Sequence, residues 1–148
     1  MNDHIHDLVG IRIVCPFLND LEEIKKILLI KILNHNNIQL IKVKDYIRSP
    51  KKNGYRSYHM NIIVPIDINN QKEYVEVEIQ IRTIAMDMWA TLEHKICYRK
   101  NGNIPEYIKD ELKTISEETS KIDKTFNDAI NKNKQNNNIK KLVLKKNM

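Results

Sequence analysis

A chain of 148 residues has the length of one domain and can bury a real core, since domains of this size remove about two thirds of the surface that their unfolded chains expose. No apolar run reaches the roughly 18 residues of a membrane span, and no basic segment followed by an apolar one opens the chain, so the expectation is a soluble, unexported, cytoplasmic protein. The net charge of +6 rests on 20 Lys in a background of 18 Asn, a compositional drift that makes basicity alone a poor guide to partners.

In chain order, residues 7–14 (DLVGIRIV) read as a strand, and Asp20 with Glu23 makes a capping-box-like start to a helix over residues 21–34. Residues 38–46 are a second strand, RSPKKNG breaks regular structure, and residues 55–64 form a third strand. Pro65 and the polar IDINNQ are expected to turn the chain into a fourth strand over 74–82, making an antiparallel hairpin of strands three and four. Thr83 caps a helix running to about Arg99, along which Ile84, Met88, Leu92 and Ile96 recur every four residues. Pro105 suits the first turn of a long helix whose Ile108, Leu112, Ile115, Ile122, Phe126 and Ile130 trace a narrow stripe, to be covered by the same domain or by a second subunit. The Asn/Lys-rich residues 131–148 are predicted to fray. The organisation is thus a core over 1–104, a C-terminal helix over 105–130 and a tail over 131–148, in an α/β (α+β) fold with a mixed sheet flanked by helices.

The chemistry concentrates in a few segments. In YVEVEIQIR (74–82), Val75, Val77, Ile79 and Ile81 fall on one face of a strand and Glu76, Glu78, Gln80 and Arg82 on the other, with roughly 6.6–7 Å between same-face positions. Two carboxylates, an amide and a guanidinium in a row suit a metal and a phosphate; a salt-bridged solvent face is the plainer alternative. Only five Arg occur (12, 48, 56, 82 and 99), and where Lys is the default cation each Arg points to a need for a planar fork or a stacking surface. The segment PKKNGYRSYH (50–59) puts Lys51 and Lys52 where anionic oxygens could meet them, and a Tyr ring in it could stack on a nucleobase for on the order of 1–3 kcal/mol. A solvated hairpin shoulder is the alternative there. Asp7 and Glu78, if on adjacent strands, would hold Mg²⁺ against a polyphosphate, although either alone is an ordinary strand carboxylate. The His6-Asp7 pair enters a strand and lacks the further ligands of metal-dependent phosphohydrolases. His94 reads as a surface or packed imidazole, Trp89 as core, and Cys15 and Cys97, which lack metal-ligand spacing, as reduced thiols.

Taken in order, HDLVGIRIV, PKKNGYRSYH and VEIQIRTIAMDMWATLEHKICYR closely resemble the synthetase domain of the RelA/SpoT alarmone synthetases, above all the single-domain small alarmone synthetases, over roughly residues 5–125. The resemblance implies a nucleotidyltransferase-like fold and a GTP/GDP pyrophosphokinase that moves pyrophosphate from ATP to the 3′-hydroxyl of GDP or GTP, giving (p)ppGpp and AMP. It implies Mg²⁺ held by Asp7 and Glu78, with Glu78 binding metal or activating the acceptor hydroxyl, and Tyr55 stacked on guanine. Lys51, His59, Gln80, Arg82 and His94 would then line the guanine nucleotide, and Arg12 would flank the adenine of ATP. A homo-oligomer, a tetramer by resemblance, is also implied. Relatives carry several tens of residues that grip ATP ahead of the Asp-bearing strand, whereas six residues precede Asp7 here. The expectation is an N-terminally truncated synthetase, weak or inactive alone; robust AMP release from ATP with GDP or GTP by the purified chain would overturn it. Two further possibilities differ in class: a non-catalytic guanine-nucleotide-binding or oligomerising module that regulates a full-length relative, and single-stranded RNA binding through the Lys-rich tail. RNA affinity would fall steeply with salt and vanish on deletion of residues 131–148.

Overall fold

A computed structural model describes residues 9–99 and 104–146, with Arg99 and residues 138–146 described by backbone alone. The elements run β1 (Val9–Cys15), α1 (Leu18–Leu33), β2 (Gln39–Asp45), β3 (Tyr58–Ile68), β4 (Gln71–Thr83), α2 (Ile84–Arg99) and α3 (Glu106–Lys146). The four strands form one mixed sheet in the order β1-β4-β3-β2, in which β1 runs parallel to β4 and the other pairs are antiparallel. Among the described residues no helix is long and apolar enough to cross a membrane.

The alternation of β4 decides the layers. Val77, Ile79 and Ile81 are buried, and their register partners Met60, Ile62 and Tyr58 on β3 and Ile13 on β1 point the same way. Leu21 and Ile32 of α1 close over this face, so the main core lies between α1 and the sheet. The opposite face carries Glu76, Glu78, Gln80 and Arg82, flanked by Arg12 of β1 and by His59 and Asn61 of β3. A second, smaller core joins Trp89 and Ala90 of α2 to Leu112 of α3, with Tyr55 packed against it. Trp89 is therefore core, as its sequence context implies, and its Nε1–H donates to the Leu112 carbonyl at 2.8 Å.

Several boundaries differ from the sequence expectation. Helix α1 starts at Leu18, one turn early, with Phe17 at the N-cap and no side-chain cap; Asp20 sits inside the first turn, where its charge complements the helix dipole. Burial of Leu21 and the packing of Leu18 draw that extra turn in. Strand β3 starts at Tyr58, leaving Tyr55 and Arg56 in the preceding loop, and it runs on through Pro65 to Ile68. Proline is tolerated because the pairing of β2 stops at Ile63, so no ladder extends along that side of Pro65. The turn is only Asn69-Asn70, at φ 52° and 62°, the left-handed pair of a tight hairpin that Asn adopts more readily than most residues.

Thr83 caps α2 as predicted: its Oγ1 accepts from the Met86 N–H at 3.1 Å, and its hydroxyl donates to Asp123 of α3 at 2.5 Å. The every-fourth apolar row of α2 faces outward, however, with Ile84, Met88, Leu92 and Ile96 all exposed, because Met86, Trp89 and Ala90 take the buried side. The stripe of α3 divides in the same way. Leu112 is buried, but Ile115, Ile122 and Phe126 are exposed, and the inward side carries Ser116, Thr119 and Asp123 instead. Helix α3 also continues to Lys146 through the stretch expected to fray.

Gly54 shows how this polar docking shapes the loop ahead of β3. Its carbonyl accepts from the Ser116 hydroxyl, its φ is +94°, and a Cβ added there would lie 2.7 Å from Ser116 Cβ. The fold uses this glycine to admit α3. Gly54→Ala should cost about 1–3 kcal/mol from the left-handed backbone alone, plus the clash, read as a lower urea midpoint at unchanged slope.

Candidate active site

The polar face of β4 carries a closed ring of hydrogen bonds, and donor chemistry sets its direction. Arg82 can only donate, so Nη2–H gives one bond to the Tyr55 hydroxyl oxygen at 2.6 Å and another to Gln80 Oε1 at 2.9 Å. Tyr55 O–H then donates to His59 Nε2 at 2.9 Å, which leaves the imidazole proton on Nδ1, donated to Glu78 Oε1 at 3.0 Å. Gln80 Nε2–H donates to Glu78 Oε2 at 2.7 Å and closes the ring. Both oxygens of Glu78 are therefore oriented by neighbours before any ligand arrives. Asn61 likewise steadies Glu76 at 3.0 Å, one step along the row.

The electrostatics agree with that direction. Burial lowers the pKa of His59 and outweighs the upward pull of the Glu78 carboxylate, so the imidazole is neutral near pH 7 and the 3.0 Å contact is a hydrogen bond to a carboxylate rather than an ion pair. Burial opposes ionisation of Glu78, but the hydrogen bonds from Gln80 and His59, with Lys44 nearby, win, and its pKa falls below the ordinary value. The ring thus holds an ionised carboxylate beside a neutral histidine.

Next to the ring lies a cavity of about 350 Å³, lined by Arg12, Tyr55, Arg82, Glu93, His94 and Lys95 together with Ala90 and Thr91. Arg12, Arg82 and Lys95 outnumber the one lining carboxylate, Glu93, and favour anions, although Asp87 beside the two arginines offsets part of their charge. The buried Nε of Arg82 has no hydrogen-bond partner among the described residues. Tyr55 contributes an aromatic ring to the cavity lining, and the rings of Tyr46, Tyr55 and His59 meet edge to face at centroid distances of 5.3–6.0 Å. Lys51 Nζ lies 4.9 Å and 5.0 Å from the centroids of Tyr46 and Tyr55. His94 stacks on Tyr98 at 6.0 Å and presents to the same cavity.

Of the residues expected from sequence, Glu78, Gln80, Arg82, Tyr55, His59, Lys51, His94 and Arg12 meet around this ring and cavity, while Asp7 lies outside the described residues. The loop that presents Lys51 and Tyr55 is tied down locally, by Tyr55 N–H to Asn53 Oδ1 at 3.1 Å and Asn53 Nδ2–H to Glu93 at 3.2 Å. Sequence reasoning missed Asp87, whose Oδ1 accepts from Arg82 Nη1 at 3.0 Å, and it missed Tyr46 and Asn61. A carboxylate one helical turn past a strand-end Arg was the available signal for Asp87. Asn61 was legible as the same-face neighbour of His59, but Tyr46 enters only because β2 pairs with β3.

Among the described residues no three His, Cys, Asp or Glu side chains cluster closely enough to hold a metal ion. The donor set still fits a cation of the Mg²⁺ type, which takes one or two protein carboxylates and completes its shell with water and phosphate oxygens. Glu78 meets that requirement, being ionised, oriented and 18% exposed, with a second lone pair free on each oxygen.

Both shifts make the fold sensitive to acid. The native His59 pKa lies below its unfolded value near 6.5, so the unfolded chain takes up the proton first and stability falls as pH drops below 6.5. Glu78, lowered from 4.5, adds a loss as pH falls further through its folded pKa. Urea midpoints measured from pH 8 to about 2.5 should decline in these two windows, and His59→Gln should remove the first. A wild-type profile flat between pH 7 and 5 would contradict the assignment.

Comparison with known proteins places these residues among relatives. A family profile described as the region found in RelA / SpoT proteins matches residues 1–103. The GTP pyrophosphokinase YwaC of Bacillus subtilis is 50% identical over 117 residues, 79% of this chain and 54% of that protein. The crystal structure of small alarmone synthetase 2 from B. subtilis superposes with a TM-score of 0.78 at 44% identity, covering 88% of this chain and 69% of that one. Small alarmone synthetase 1 from B. subtilis, bound to its product pppGpp, gives 0.77 at 37% identity over 83% of this chain and 61% of that one. The chain spans about half the length of the curated relatives it matches.

Proposed function

The chain belongs to the RelA/SpoT family, and on that premise we propose that it is a (p)ppGpp synthetase of the small alarmone synthetase type, transferring pyrophosphate from ATP to the 3′-hydroxyl of GDP or GTP. The observation that carries the proposal is the ring around Glu78: an ionised carboxylate, fixed on both oxygens, beside a cationic and aromatic cavity. Pyrophosphoryl transfer needs an oriented hydroxyl, neutralised phosphate charge and in-line geometry, and little covalent chemistry from the protein.

In this assignment Tyr55 stacks on guanine, and its hydroxyl, pinned by Arg82 and His59, fixes the plane of the ring. Lys51, His94 and Arg82 meet the acceptor nucleotide, while His59 and Gln80 line it and hold Glu78 toward its 3′-hydroxyl. Glu78 accepts the hydroxyl hydrogen bond and orients the attacking oxygen. Arg12, half exposed at the cavity mouth, lies flat against adenine. Asp7 and Glu78 would hold Mg²⁺, which when bound neutralises phosphate charge. The two free thiols, Cys15 and Cys97, with pKa values raised by burial, suit a reducing cytoplasm. The exposed Ile115, Ile122 and Phe126 of α3 favour a homo-oligomer, assigned as a tetramer by family resemblance.

A second reading, a guanine-nucleotide-binding module without catalysis, is favoured by one feature: the described cavity offers many acceptor-side groups but only Arg12 for the donor. Titration with fluorescent GDP and a non-hydrolysable ATP analogue separates the two. Binding of both, with the weak AMP and (p)ppGpp formation of this chain abolished in Glu78→Gln while GDP affinity changes less than about threefold, is the expected result. GDP binding with no ATP binding would support the module, and binding of neither would end both readings. Tyr55→Ala should weaken GDP by on the order of tenfold or more through lost stacking.

A further inference from the structure

Asp87, in the first turn of α2, has no role in the reading above, and we propose that it is the positioning residue that holds the donor-side Arg12 and the acceptor-side Arg82 in one arrangement across the cavity. The proposal rests on that reading for the division of the cavity between two nucleotides.

A single oxygen, Oδ1 of Asp87, takes Arg82 Nη1 at 3.0 Å and pairs with Arg12 Nη1 at 3.4 Å. Arg82 is 6% exposed in its side chain, and its other terminal nitrogen is committed to Tyr55 and Gln80. Asp87 completes the fork, so the guanidinium cannot rotate without breaking three bonds at once. Arg12, 53% exposed, has its one ion pair among the described residues with Asp87. Parallel pairing puts Arg12 beside Gln80 and Val14 beside Arg82, so the two arginines reach the cavity from neighbouring strands. Two guanidiniums on one oxygen repel each other unless the carboxylate lies between them.

Removing that carboxylate does two different things. Arg82 loses a partner while remaining buried and charged, which loosens its grip on the Tyr55 hydroxyl. Arg12 loses the attraction that keeps it over the cavity and swings toward water. A ligand at either arginine therefore alters the other through Asp87, and such coupling is reciprocal. An acid that merely complements the α2 dipole would not behave this way, since its effect would be on helix stability alone.

The test uses the full chain with Asp87→Ala and Asp87→Asn, each alone and combined with Arg12→Ala, titrated with fluorescent GDP and a non-hydrolysable ATP analogue. Asp87→Ala should weaken GDP roughly tenfold and the ATP analogue severalfold. Asp87→Asn, isosteric and suited to the case in which the alanine variant does not fold, should hold GDP within about threefold because its amide oxygen still accepts from Arg82, yet lose affinity for the ATP analogue at an unchanged melting temperature. In the Arg12→Ala background neither change at Asp87 should weaken the ATP analogue further; additive losses there would overturn the proposal. Rotation of the Arg82 guanidinium, followed by NMR without nucleotide, should be slow in the wild type and fast in Asp87→Ala. Unchanged rotation overturns the proposal whatever the chain binds. A chain that binds neither nucleotide while its Arg82 rotation responds as stated keeps Asp87 as the arginine clamp and sinks the functional reading instead.

Discussion

A guanidinium withdrawn from water has to find acceptors, and the burial of Arg82 organises much of this molecule. Its fork reaches Asp87 on α2, Gln80 on its own strand and Tyr55 in the loop before β3, so three elements are fixed around one charge. From Tyr55 the order passes to His59, and from Gln80 and His59 to the two oxygens of Glu78. The carboxylate that chemistry would use is thus the end point of a network that begins at a buried cation. Closed into a ring, such a network is rigid; with one member removed, it leaves a charge in a poor environment.

The second constraint is the way α3 docks. A helix held by Leu112 and Ile108 alone would slide, but Ser116 on the Gly54 carbonyl, Asp123 on Thr83 and Asn127 on the Asn19 N–H fix its register. Burial raises the pKa of Asp123, and the Thr83 hydroxyl offsets part of that rise. The same contacts reach the site: Thr83 ends β4 and caps α2, and Gly54 precedes Tyr55. Polar docking inside leaves Ile115, Ile122 and Phe126 outside.

Much of the site was legible in the sequence because strand alternation is a local property. Glu76, Glu78, Gln80 and Arg82 share a face whatever the rest of the chain does, and Thr83 announces a helix start through its hydroxyl. The helices were harder. Apolar spacing describes a stripe on α2 and α3 without saying which stripe is buried: the row of α2 faces out, and that of α3 is split, with Leu112 buried and Ile115, Ile122 and Phe126 exposed. The sequence places Tyr55 at the start of a strand over 55–64, after the break at RSPKKNG; the turn around Gly54, closed by Gly54 N–H to the Lys51 carbonyl at 2.8 Å, keeps it in a loop.

The sequence by itself determined the two faces of β4, the hairpin with β3, the α2 cap, and the motif set that links the chain to RelA/SpoT proteins. These depend on side-chain period, turn chemistry and residue identity within short windows. Tertiary structure alone decided that Arg82 is buried rather than merely polar-facing, that Asp87 stands between Arg82 and Arg12, that Gly54 serves helix packing, and that α3 turns its Ser, Thr and Asp inward. Each of those outcomes rests on partners far apart in the chain, 40 residues for Thr83 and Asp123 and 62 for Gly54 and Ser116. No local pattern encodes which distant group will arrive to satisfy a buried donor, and so the sheet was readable before the fold while its closure was not.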